Sequence, residues 1–152
     1  MNQQFSLILQ NRILMTGVAA WASSQVLKFI IHRIVNGKFV WERLHGDGGM
    51  PSSHSATVTS LAVASGMHLG LDSPIFALAF FFAIIVMHDA MGVRLETGKQ
   101  AKAINDMMVF IQELSENQLT PEQTLKEFVG HTPIQVFAGC CLGILVAVIM
   151  NL

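Results

Sequence analysis

Ile75–Met87 reads IFALAFFFAIIVM, thirteen consecutive residues without a charge. Extended to its natural limits, the stretch runs from about Pro74 to Met91, close to the roughly 20 apolar residues that a helix needs to cross a bilayer. Three other stretches share this character. The first runs from about Ile13 to Ile31, with Lys28 inside it and Arg33 just beyond. A second covers about Ser53 to Leu71 and is rich in Ala, Ser, Thr and Gly. The last, PIQVFAGCCLGILVAVIM, covers about Pro133 to Met150.

Composition agrees with a membrane protein. The chain of 152 residues is 52% hydrophobic and 12% charged, where soluble domains carry about 25% charged residues. Ten Phe, nine Met and no Tyr fit a lipid-facing surface. A formal charge of -1 gives no reason to expect nucleic acid. Cys140 and Cys141 are adjacent in an apolar run and read as small packing residues rather than a bridge. The expectation is a single membrane-embedded domain over residues 1–152: an all-α integral membrane helical bundle of about four transmembrane helices plus an amphipathic helix.

The Ser53–Leu71 stretch is the least hydrophobic of the four and is expected at the centre of the bundle. Small residues let helix backbones approach closely in lipid, and hydroxyls bond across helices. Gly139 and Gly143 form a small-xxx-small contact face on the last stretch. Between the third and fourth stretches, Ile104, Met107, Met108, Ile111 and Leu114 recur at helical spacing, predicting an amphipathic helix on the membrane or against the bundle. Thr120, Pro121 and Gln123 predict the start of a short helix that Gly130 ends.

With four spans, one membrane face collects Lys28 and Arg43, then Ser52, Ser53 and His54, then His88, Asp89 and Arg94, and finally His131. The opposite face is expected to carry almost no polar groups. Lys and Arg near span ends favour the cytoplasm for the polar face. Ionisable groups at a membrane are costly and usually functional.

The segment GGMPSSHSA, Gly48 to Ala56, opens the central helix. Pro51 suits a first helical turn, and the free N–H groups of that turn favour an anion. Ser52 and Ser53 add hydroxyl donors. Lys28, Arg43 and Arg94 supply positive charge, and Arg grips two phosphate oxygens at once. His54 and His131 offer an acid, a base or a nucleophile. The histidines show no metal-ligand spacing, so no metal site is expected.

The motif PSSH resembles the P-S-G-H motif of the type-2 phosphatidic acid phosphatase and vanadium haloperoxidase superfamily. Together with DAMGVRLETGKQA and LKEFVGHTPIQVFAG, it resembles the small, divergent bacterial and plant branch of that superfamily. The resemblance covers Lys28 to about Gly143. It implies that Lys28 and, more loosely, Arg43 bind phosphate with Arg94, Ser52 and Ser53. It implies that His131 attacks phosphorus to give a phosphohistidine, that His54 protonates the leaving group, and that no metal or other cofactor is needed. The chain departs from the superfamily pattern at four places: fourteen residues rather than six separate Lys28 from Arg43, and Ser53 stands in the glycine position of P-S-G-H. Leu125 stands where an arginine is expected, and Gln135 where an acid would orient the nucleophile. Asp89 or Asp47 is the candidate substitute for that acid. Gln135 also reads as the closing residue of a capping box begun by Thr132.

The reading is metal-independent hydrolysis of a lipid phosphate or lipid diphosphate in a bacterial cell membrane. The substrate is a lipid phosphate among membrane lipids, and a homodimer is one way to complete so small a bundle. The alternative is a non-catalytic membrane protein that binds anionic head groups or a partner protein.

Overall fold

The computed structural model describes residues 2–37, 49–114, 124, 125, 127 and 130–152. Six α-helices carry these residues: α1 (Asn2–Gln10), α2 (Arg12–Asn36), α3 (Ser53–Leu69), α4 (Pro74–Met91), α5 (Val93–Leu114) and α6 (Pro133–Asn151). No strand occurs among them.

Local chemistry sets the boundaries. Asn11 caps α2 by accepting from the Leu14 N–H at 3.0 Å. Ser73 accepts from Ile75 N at 3.2 Å, with Pro74 in the first turn of α4. Ser52 caps α3, accepting from Ser55 N at 3.3 Å. Pro51 therefore precedes the cap, two positions ahead of the first helical residue, Ser53, and not in the first turn as expected. The amphipathic helix also begins earlier than its apolar stripe suggests, because α5 follows α4 after Gly92 alone. Of the short helix expected after Thr120, residues 120–123 lie outside the described residues, and Thr124, Leu125 and Glu127 are not helical.

Helix α3 is the hub and packs against α2, α4 and α6. Its buried face is Ser53, Ser55, Ala56, Val58, Ser60, Ala62, Ala64 and Ser65. The two glycines of α6 let its backbone meet that face. A Cβ on Gly143 would lie 2.5 Å from the Ala56 carbonyl oxygen, and one on Gly139 would collide with the Ser52 carbonyl. Large apolar side chains point outward instead: Leu78 is 72% exposed, Phe81 64% and Ile134 70%. Small groups inside and bulky hydrocarbon outside is an arrangement that water would penalise and lipid tolerates.

Three helices are long and apolar enough to cross a membrane: Arg12–Val35, Pro74–Ile111 and Pro133–Asn151. The expectation of four such spans is not met by α3. This helix has 17 residues, about 25 Å of rise, and substitutes hydroxyls for hydrocarbon because its neighbours surround it.

Helices α3 and α6 run side by side in the same direction. At one end Ser52 N donates to the Gln135 carbonyl at 2.9 Å. At the other, His68 Nε2 pairs with Asn151 Oδ1 at 2.5 Å, and Asn151 Nδ2 donates to Thr16 Oγ1 at 3.1 Å. This second cluster corrects the expectation of an almost apolar opposite face.

Candidate active site

Two helix N-termini, those of α3 and α6, lie at the same end of the bundle as the C-terminal portions of α2 and α4. The C-terminal half of α2 delivers Lys28, which is 6% exposed, and its Nζ donates to Ser53 Oγ at 2.9 Å. Ser53 is the first residue of α3, so the ammonium sits at the positive end of that helix dipole. The start of α6 adds a second positive end. An ammonium and two helix N-termini in one place make a potential that favours an anion.

His54 follows Ser53 and is half-buried. Its Nδ1 lies 3.4 Å from His131 Nε2, with ring centroids 5.6 Å apart and planes inclined by 63°. His131 is 1% exposed. Its backbone N–H donates to the Ala90 carbonyl at 3.0 Å, which ties it to the end of α4. The two imidazoles, 77 residues apart in the chain, thus share one pocket.

The protonation pattern of His131 follows from its neighbours. Gln135 Oε1 accepts from the Thr132 N–H at 3.1 Å and lies 3.3 Å from His131 Nδ1. A backbone N–H can donate only to the oxygen of an amide, so this contact fixes which way the Gln135 side chain points. His131 Nδ1 must then carry the proton and donate it to that oxygen. Its Nε2 keeps the lone pair and accepts from His54 Nδ1–H. Gln135 therefore closes the N-terminus of α6 and orients the imidazole with one atom.

Ser52 is fully buried and serves the fold. Its hydroxyl accepts from both Ser55 N and Ser55 Oγ, the latter at 3.0 Å. Asp89 pairs with Arg94, 3.4 Å from Nε to Oδ2, and both side chains are about half exposed. The group facing His131 Nδ1 is Gln135 and not Asp89. Arg43 and Asp47 lie outside the described residues.

Two positioning contacts carry no signal in the sequence. Gly130 lies against the backbone of Arg94 and Leu95, where a Cβ would collide. Asn105 on α5 binds the backbone of Leu125. Both link residues far apart in the chain through contacts that no local pattern announces.

Comparison with known proteins identifies the family. Residues 9–146 match the model of the divergent PAP2 family. The chain is also 40% identical over 151 residues to the uncharacterized membrane protein YuiD of Bacillus subtilis (strain 168), covering 94% of this chain and 96% of that one. No solved structure gives a significant match. The chain belongs to the divergent PAP2 family and is an integral membrane protein.

Proposed function

We propose that this divergent PAP2 protein hydrolyses a phosphate monoester or diphosphate carried by a lipid, without a metal ion, through a phosphohistidine on His131. The observation that carries the reading is the meeting of Lys28, Ser53, His54 and His131 where two helix N-termini converge. In the proposed reaction the phosphate displaces the His54–His131 hydrogen bond. The His131 Nε2 lone pair attacks phosphorus, the phosphorus–oxygen bond to the lipid breaks, and His54, entering as the imidazolium, gives one proton to the leaving oxygen and becomes neutral. Water then attacks phosphorus while neutral His54 takes one of its protons and returns to the imidazolium; the phosphorus–nitrogen bond breaks, and its electron pair returns to His131 Nε2. Lys28 and the α3 N-terminus stabilise the negative charge on the transferring phosphoryl group. Arg94, held by Asp89, offers its guanidinium at the rim.

A lipid substrate is supported by position. The site lies at the ends of helices α2, α3, α4 and α6, and in this reading that end of the bundle sits among the lipid head groups. An apolar groove of about 580 Å³, lined by Thr59, Val63, Gly66, Phe76, Phe80 and Met87, runs along α3 and α4 below the histidines and suits hydrocarbon. In this reading α3 crosses the bilayer as the fourth, shielded span, and the site faces the cytoplasm by the distribution of Lys and Arg. A homodimer covering the groove is compatible with the small bundle.

Gln135 favours a second reading. A neutral amide orients His131 but adds no negative charge to stabilise its cationic phosphorylated form, as suits a site that binds anionic head groups without turnover. Phosphate release by the detergent-solubilised protein from phosphatidate, lysophosphatidate and an isoprenyl diphosphate separates the two. Turnover by the parent that is lost in His131→Ala and His54→Ala supports the enzyme. Binding without turnover, unchanged in both variants, supports the binder.

A further inference from the structure

We infer that Asn105 is a positioning residue for His131, acting by clasping the chain that leads into it. Asn105 Nδ2 donates to the Leu125 carbonyl at 2.9 Å, and Asn105 Oδ1 accepts from the Leu125 N–H at 3.0 Å. One side-chain amide thus satisfies both backbone groups of one residue, as a neighbouring strand would. The same Nδ2 donates to Glu127 Oε1 at 2.9 Å. Three bonds across 20 to 22 residues converge on this one side chain.

A second anchor lies at the other end of the same helix. Gly130 rests on the backbone of Arg94 and Leu95 so closely that a Cβ there would lie 2.7 Å from the Arg94 carbonyl carbon. The next residue, His131, bonds Ala90 through its N–H. On α5 the two anchors are ten to eleven residues apart, about 15–16 Å. Five residues separate Leu125 from Gly130, and five residues reach at most about 16–18 Å. The two anchors thus hold both ends of the short segment that leads into His131. Helix α5 therefore acts as a ruler that sets His131 in register with Arg94, a cation of the proposed site. Opening the Asn105 clasp gives Gly130 and His131 freedom to leave the Ala90 contact, although neither touches Asn105.

The inference rests on His131 being the reactive group of the proposed phosphatase, so its test includes a readout independent of turnover. Diethylpyrocarbonate modification of His131, followed by mass spectrometry of the detergent-solubilised full chain, reports how well the imidazole is held. In the parent, the buried His131 is expected to react slowly. In Asn105→Ala its modification rises several-fold, while maleimide labelling of half-buried Cys140 on α6 stays at the parent level. In the same variant kcat falls about tenfold or more with little change in KM, as small misplacement of a reacting group costs up to about 10²-fold. Asp106→Asn, on the exposed neighbouring position, leaves both readouts unchanged.

Asn105→Asp keeps the acceptor for Leu125 N–H but sets a carboxylate beside Glu127, and it behaves like Asn105→Ala. Adding Glu127→Gln removes one of the carboxylate's two repulsive contacts and gives it an amide donor, while the Leu125 carbonyl still lacks its donor, so modification of His131 slows part of the way back to the parent rate. This pair decides the matter if Asn105→Ala exposes Cys140 as well and so proves unfolded. Parent-like His131 protection in Asn105→Ala, or no rescue by Glu127→Gln, overturns the inference. If the parent releases no phosphate, the phosphatase reading falls, and selective exposure of His131 still decides the role of Asn105.

Discussion

Gln135 shows how one atom carries two duties at the residue scale. Its Oε1 receives the Thr132 N–H and faces His131 Nδ1, so helix capping and imidazole orientation are the same contact. Gln135→Ala removes both, and the expected result is a fall in kcat of about 10-fold or more, with phosphohistidine formed more slowly in single-turnover measurements. Gln135→Glu keeps both hydrogen bonds and adds a charge that stabilises the phosphorylated imidazole. It is expected to raise kcat above the parent, and an equal or lower kcat would show that charge at this position is not limiting. His54→Ala removes the acid and is expected to cost about 10²–10⁴-fold in turnover of poor leaving groups, and less for a good one such as a nitrophenyl phosphate. At this scale the sequence was legible wherever a motif was local. The segment PSSH foretold His54 beside Ser53, and HTPIQ foretold the cap of α6. Pairing of His54 with His131 was an expectation from resemblance and topology, because no local pattern links residues 77 apart.

The elements were legible where apolar runs and caps coincide. Helices α3, α4 and α6 begin at Ser53, Pro74 and Pro133, where the sequence places them. Helix α1 was not foreseen, because a run as short as FSLIL carries no periodic signal of its own. The true start of α5 was hidden as well, since Val93–Ala103 is polar and lacks the apolar stripe that marks Ile104 onward. Gly139 and Gly143 are legible as a contact face, because in lipid the approach of backbones is set by the smallest residues; that the face meets α3 comes from the structure. Gly143→Ala puts a methyl group 2.5 Å from the Ala56 carbonyl oxygen, 3.0 Å from Thr59 Cβ and 3.1 Å from Ser60 N. Overpacking of this kind costs about 1–3 kcal/mol, and Gly143→Leu costs more. Thermal denaturation in detergent should show a lowered midpoint in that order, with an unchanged midpoint for a lipid-facing control such as Phe81→Leu.

The whole molecule is a small bundle with a shielded, hydroxyl-rich central helix and polar clusters at both ends. The far cluster of Thr16, His68 and Asn151 joins three helices and was not legible, because its members are isolated in the sequence and meet only through the fold. Orientation is a property at this scale. With Cys140 and Cys141 replaced by alanine, Met50→Cys and Leu71→Cys sit on exposed positions at opposite ends. A membrane-impermeant maleimide applied to intact cells should label the Leu71 site and spare the Met50 site. The reverse pattern would place the histidines outside the cell. The account as a whole depends on a phosphoryl group reaching His131 Nε2, and the most direct measurement is isolation of that adduct. The protein is mixed with a lipid phosphate labelled with ³²P, quenched in alkali and digested. The account predicts an acid-labile, alkali-stable label on the peptide containing His131, absent in His131→Ala. Phosphate release by the parent with no such label, or a label that persists in His131→Ala, would contradict it.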